Sequence, residues 1–296
     1  MMKSARLVGT WVAYPIVLAM TIGLYYGLQH QGLGAAASSY IAAVVGGVGF
    51  ITILEYCLPF RNSWHPTSVE IQSDLVFMAL IQLLLPKFLS LFSSIWLVRW
   101  LSESGWGFTN YWPHQYPVWI QMLIMMVSSD FFRYWLHRAA HEWQPLWKFH
   151  AVHHSVDKLY WLNVGRFHPI DKSLQFVCDA LPFILLGVSE EVLTLYFVVY
   201  SIKGFFQHSN VDVKLGPLNY LISGPELHRW HHSKVVAESN QNYGNNFIIW
   251  DIAFGTFYLP SNKTVRELGL QQPYPMEFVS QMRAPFLPDR DPKNVA

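Results

Sequence analysis

Four long apolar runs, at residues 11–28, 39–60, 75–98 and 118–136, dominate the first half of the chain. A helix of about 20 apolar residues crosses the hydrocarbon core of a bilayer. Lipid offers nothing to pair with a bare amide, so a spanning segment must satisfy its own backbone, as a helix or as part of a closed barrel. These runs are continuous rather than alternating, which points to helices. The third run contains Pro86 and Lys87, so it is expected as a kinked span or as two short helices in a shallow hairpin. Two shorter runs, 176–188 and 192–206, flank Ser189, Glu190 and Glu191. Each is short for a full crossing, and together they suit a helical hairpin that enters and returns on one side. Charged residues make up only 13% of the chain and aromatics 16%, which agrees with a membrane protein. The expected fold is therefore all-α: an integral membrane helical bundle of about four spans plus a short helical hairpin. A soluble protein with buried core helices is disfavoured by the length of the first two runs.

Loop charges orient such a bundle, because Lys and Arg accumulate on the cytoplasmic side. Lys3 and Arg6 precede the first run, the loop 29–38 has neither residue, and Arg61 follows the second run. The stretch after the fourth run carries Arg138, Lys148, Lys158, Arg166 and Lys172. Four crossings place the N-terminus, the Arg61 loop and this stretch together on the cytoplasmic side, with Arg99 in dissent. A net charge of +1 argues against a nucleic-acid partner, which calls for a basic stripe. The two cysteines, Cys57 and Cys178, sit in apolar runs, so neither a disulfide framework nor thiolate metal ligation is expected. No cleaved signal peptide is expected either, since the segment after Lys3 and Arg6 lacks a small-residue cleavage pattern.

The polar stretches between and after these runs hold three histidine clusters: His137 and His141; His150, His153 and His154; His228, His231 and His232. Residues three and four apart share a helical face. Imidazole suits Fe, Zn, Cu and Ni, and eight rings exceed the four ligands of an ordinary zinc site. Two metal ions side by side is the simplest reading. A lone helical histidine is usually a surface or satisfied core residue, but clustered imidazoles repel one another when protonated, so crowding of this kind calls for a purpose. Polar groups that could orient the rings lie close by: Asp130, Glu142, Asp157, Asp171, Glu226, Asn245 and Asp251. Metal-bound histidines pass their second N–H to a carboxylate, carbonyl or water. Asp130 precedes His137 by seven residues on the same helical face, and an acid on a span has few cheap explanations. Asp251 stands between apolar residues, where an unpaired carboxylate is costly. Asp130, Asn245 and Asp251 are thus the candidate catalytic-site residues around the rings.

The order HxxxH, HxxHH and, after a hydrophobic gap, HxxHH resembles the fatty acid hydroxylase and sterol desaturase superfamily. The likeness runs over residues 74–260, with residues 1–73 as additional N-terminal spans, and the whole chain 1–296 reads as a single integral-membrane domain. Further matching stretches are Asn163-Val-Gly-Arg166-Phe-His168-Pro169, Gln207-His208-Ser209-Asn210, and Asn242-Tyr-Gly244-Asn245 leading to Trp250-Asp251. The resemblance implies a membrane-bound, non-haem di-iron oxygenase with a cytoplasmic histidine-rich cap, in a bacterial inner membrane or endoplasmic reticulum. It implies that His137, His141, His150, His153, His154, His228, His231 and His232 are metal ligands. His208 matches a further family histidine and is the ninth, while His168 is a candidate tenth. Some members carry another histidine four residues before the ninth, where this chain has Gly204. His30, His65 and His114 lie outside the motifs and are not expected to bind metal.

The implied cofactors are two Fe ions, for which Zn can stand in, with O2 as co-substrate. The substrate is a lipid such as a sterol, a fatty acyl chain or a polar lipid, reached from the membrane. Hydroxylation and desaturation both begin with hydrogen abstraction, and hydroxylation, which cleaves one C–H bond, is preferred. Two electrons per turnover come from a separate donor, a ferredoxin, cytochrome b5 or reductase, because spans and cap use up the length of the chain. A metal transporter or storage protein is the alternative. Its histidine tracts tend to be irregular loops, whereas the clusters here are helically spaced.

Overall fold

Apart from residues 58–60, the first three apolar runs lie within helices long and apolar enough to cross a membrane: α1 (Met2–His30), α2 (Ala35–Cys57) and α3 (Ser68–Glu103). The computed structural model describes residues 2–106, 108 and 111–287, with side chains from residue 6 onward. Only 28%, 39% and 17% of the apolar windows of these helices are buried inside the protein. The rest of their apolar surface, including Trp11, Ile16, Val44, Ile53, Phe88 and Trp96, is exposed. An apolar surface this extensive is a lipid-facing one.

The expected break at Pro86 does not divide the third run. α3 continues through it, with π-helical turns at Met78–Leu84 and Ser93–Leu97. Pro86 sits in the first turn of the α-helical stretch that follows the first π-turn. The wider turn absorbs the missing N–H and the ring clash that would otherwise break the ladder. A capping box opens α3: Glu70 N donates to Thr67 Oγ1, and Thr67 N donates to Glu70 Oε2 at 2.7 Å.

The fourth run forms α4 (Val118–Glu142), which is not among the three membrane-crossing candidates. Gln121, Ser129, Asp130 and Arg133 all face inward from it and are buried. Trp143, in extended conformation, turns the chain into α5 (Gln144–His154). A 3-10 turn at Trp161–Gly165 leads to α6 (Pro169–Asp179). The hairpin returns through α7 (Glu190–His208), whose start is capped by Ser189 Oγ accepting from Val192 N. The last part of the chain is mostly loop, with α8 (Pro225–His231), α9 (Ile249–Phe254) and α10 (Phe278–Arg283). Among the described residues there is no extended sheet, only three isolated bridges.

Six clusters of buried apolar side chains are present among the described residues, and two of them bear on the site. One joins α1, α2 and α7 through Tyr14, Val17, Ile51, Ile202 and Phe206. The helices approach closely there: a Cβ on Gly47 would lie 2.7 Å from Ile202 Cδ1. Small residues permit such packing where apolar surface alone cannot drive association, as in lipid. The other core gathers loops of the cap around Trp64, Leu159, Trp230 and Leu268. α7 therefore runs from among the spans and ends at His208, in the cap.

Candidate metal centre

Each histidine cluster is carried by a helix end that the surrounding packing fixes. α4 brings His137 and His141 out of the bundle on its last turns. α5 presents His150, His153 and His154, and α8 presents His228 and His231 with His232 directly after it. The rings meet in two adjacent groups. One holds His137, His141, His150, His154 and His231, and the other His153, His208, His228 and His232. Within each group one nitrogen from every ring lies within 4.8 Å of the rest. The neighbours His153 and His154 point into different groups, and the His154 and His232 rings stack at 4.4 Å across the boundary.

The far nitrogens of six rings are anchored. Nδ1 of His137 donates to the Tyr243 carbonyl at 2.8 Å, and Nδ1 of His150 to Asp171 Oδ2 at 2.8 Å. His153 donates to the Arg166 carbonyl at 3.2 Å, and His231 to the Gln241 carbonyl at 2.8 Å. His208 and His141 use the side-chain oxygens of Asn163 and Asn240, at 2.8 and 3.0 Å. The Asn163 amide is oriented by its own Nδ2, which donates to the Lys158 carbonyl. A ring whose Nδ1 carries the proton presents a bare lone pair at Nε2.

Those lone pairs face one another. The Nε2 atoms of His137 and His150 are 3.0 Å apart, although both rings spend their proton on an oxygen acceptor. His208 and His153 repeat the arrangement at 3.3 Å, and Nε2 of His231 is buried with no partner at all. With the rings neutral, no assignment of protons satisfies this set, whereas a cation between the nitrogens does. Burial, helped by neighbouring rings, pushes the His208 and His231 imidazoles down to about 3, so both stay neutral at physiological pH. Neutral imidazole is the form that binds metal. Asp171 is ionised: burial alone would raise its pKa, but attraction and hydrogen bonding from His150 hold it below the ordinary carboxylate value. The donor set therefore fits metal cations.

Nine of the ten histidines named from sequence are brought together, and His168 is not. Its Nδ1 accepts from Ile170 N as the cap of α6, and its Nε2 lies 3.3 Å from the Met282 carbonyl. His30 and His114 are exposed, and His65 stacks on Tyr56. The three candidate polar residues stand one step back from the rings. Asp130 accepts from the backbone N–H groups of Asn246 and Phe247 and from Asn246 Nδ2, clamping the 245–247 loop rather than a histidine. Asp251 accepts from Tyr243 N and Gly244 N, both at 2.7 Å, and so fixes the carbonyl that His137 uses. A Cβ on Gly244 would lie 2.3 Å from the Phe247 carbonyl oxygen, so only glycine fits in that loop. Asn245 has no hydrogen bond to a ring; its carbonyl accepts from Gln207 Nε2 at 2.9 Å. Glu142 pairs with Arg138, and Glu226 accepts from Leu215 N and Asn219. Arg166, left open by the sequence, is fully buried and paired with Asp74.

Sequence reasoning missed Asn163, Asn240 and the three carbonyl anchors. Asn163 lies inside a matching motif, but a carbonyl carries no side-chain signal.

A cavity of about 100 Å³ leads to the rings. Tyr40 and Val44 of α2 and Leu83 of α3 line one part, and His137, His150, His153, His208 and His228 another. Gly204 is on its wall, and a Cβ there would meet only Val164, at 3.7 Å.

The model of the family described as Fatty acid hydroxylase matches residues 122–256. The ornithine lipid hydroxylase of Rhizobium tropici is 35% identical over 81% of this chain and 73% of its own length. The alkylglycerol monooxygenase of Homo sapiens is 32% identical over 50% of this chain and 32% of its own. Methylsterol monooxygenase 1 of Rattus norvegicus is 27% identical over 49% of this chain and 48% of its own. No solved structure matches.

Proposed function

The chain belongs to the fatty acid hydroxylase family and is a lipid-hydroxylating oxidoreductase, and on that premise we propose that it inserts one oxygen atom into an unactivated C–H bond of a membrane lipid. The observation that carries this is the pairing of bare Nε2 atoms at the end of a cavity lined by lipid-side helices. Nine histidines are the proposed ligands: His137, His141, His150, His154 and His231 for one ion, and His153, His208, His228 and His232 for the other. Two iron ions held there would supply the reduction of O2 and the cleavage of the C–H bond. The names of the relatives, hydroxylase and monooxygenase, favour hydroxylation over desaturation, and a polar or ether lipid is the substrate class they suggest. Nothing in the relatives or the geometry favours the transporter alternative.

The protein's own share of the work is placement. The anchored Nδ1 atoms fix the tautomer and orientation of six rings. Asp130 and Asp251 hold the loop 243–247 that carries one anchor and part of the cavity wall. Apolar side chains of α2 and α3 admit an acyl chain and exclude water. Gly204 leaves the wall open where some relatives of this superfamily carry a ring. Electrons come from a separate donor, and the loop charges favour the cytoplasmic side for the centre.

Lipid mass spectrometry of a host with and without the gene tests the reading. A product heavier by one oxygen is expected; a product lighter by two hydrogens would make the enzyme a desaturase, and no change would remove the proposal. Gly204→Phe, which fills the cavity, should lower turnover by on the order of 10- to 100-fold through displacement of the substrate while leaving iron content unchanged.

A further inference from the structure

Two residues that line the lipid cavity each carry a buried polar atom with nothing to bond to. Gln82 of α3 and Asn245 of the 243–247 loop both line it. Gln82 Oε1 is a buried acceptor without a partner, and Asn245 Nδ2 a buried donor without a partner. Buried polar groups left unpaired are rare because their desolvation is not repaid. The same cavity wall includes Arg133, but its guanidinium is paired with Asp179 at 3.0 Å. Away from the rings, the wall thus carries an unpaired neutral acceptor on Gln82 and an unpaired neutral donor on Asn245, and Arg133 is already neutralised. Away from the rings, a carboxylate or phosphate would find no free side-chain counter-charge on this wall.

We propose that this pair recognises an amide linkage in the substrate: the amide carbonyl accepts from Asn245 Nδ2, and the amide N–H donates to Gln82 Oε1. The proposal rests on the lipid-hydroxylase reading and narrows it to an N-acylated lipid. An ester supplies the carbonyl but no N–H, and an ether supplies neither. Because the same cavity reaches His137, His150 and His153, holding the amide also sets which stretch of the lipid lies beside the rings.

The experiment measures binding of N-dodecylacetamide, dodecyl acetate and dodecanol to the full-length, metal-free protein in detergent micelles, by quenching of tryptophan fluorescence. The amide is expected to bind about 10- to 100-fold more tightly than the ester, the range that leaving one buried acceptor unpaired produces. Gln82→Met should bring the amide down to the level of the ester and leave the ester unchanged. Asn245→Leu should weaken both, since both use the carbonyl. Retained ester binding in Gln82→Met shows that the cavity is still formed. Equal binding of amide and ester to the unsubstituted protein, equal loss of both in Gln82→Met, or dodecanol matching the amide would overturn the proposal. Iron content, measured separately after reconstitution, tests the reading beneath it: an amide preference in a protein that holds no iron would sink the oxygenase and not the amide site.

Discussion

The five-ring and four-ring groups look alike in sequence but are braced differently. In the five-ring group, four Nδ1 atoms are anchored, and one of the anchors is the ionised carboxylate of Asp171. In the four-ring group two are anchored, both by neutral oxygens, and Nδ1 of His232 is buried without a partner. A carboxylate behind an imidazole makes it more basic and fixes it more firmly than a carbonyl does. The five-ring group should therefore hold its metal more tightly, and the four-ring group should lose its metal first under a chelator. The difference teaches that ligand number and ligand quality are set separately: spacing provides the rings, and the loops behind them decide how well each ring works.

The largest test removes one ring from each group. His231→Ala and His153→Ala should each abolish lipid hydroxylation, and His231→Ala should cost iron from the five-ring group, His153→Ala from the four-ring group. His114→Ala, at an exposed site, should change neither iron content nor activity. Full activity in either of the first two would refute the ligand assignment.

A smaller effect is expected from the anchors. Asp171→Asn should weaken metal binding in the five-ring group by about 10- to 100-fold, read by competition with a chelator of known affinity. Asn163→Ala, which removes the neutral anchor of His208, should act on the four-ring group and lie near the lower end of that range. Equal effects would erase the proposed difference between the groups.

The smallest effect is on the stability of the metal-free protein. His208 and His231, one from each group, have folded pKa values near 3 against an ordinary value of 6.5. Between these values the unfolded chain binds protons that the folded chain refuses. The contribution of these two rings to stability therefore falls as pH drops below 6.5 and levels off near 3. Each ring contributes on the order of 1.4 kcal/mol per pH unit in that window. Thermal unfolding of the metal-free protein at pH 7.5 and 5.5 should show a lower midpoint at 5.5, and His208→Gln should shrink the shift. A midpoint indifferent to pH would mean that the rings are not held neutral.

Much of the frame is legible in the chain alone. Long, continuous apolar runs point to helices in lipid, and α1, α2 and α3 follow them. The histidine spacings, being helical, are enough to imply shared faces. Pro86 is harder to read because a π-turn, which no local pattern encodes, carries α3 past it. Asp130 shares the helical face of His137 as the spacing requires, but a face is broad, and the loop at Asn246 claims its carboxylate. His168 sits in a matching motif and serves as a helix cap, a role that depends on the φ and ψ angles around it rather than on its neighbours in sequence.

What the chain determined by itself is the list of parts: apolar lengths matched to a bilayer and imidazoles spaced by helical turns, both properties of covalent order and local geometry. Only the tertiary structure decided how nine rings divide into five and four, and which backbone carbonyls lie behind them. It also placed Gln82 in the same cavity as Asn245. Those facts join residues more than a hundred positions apart, such as His137 with Tyr243, and a carbonyl oxygen has no letter in the sequence to mark it.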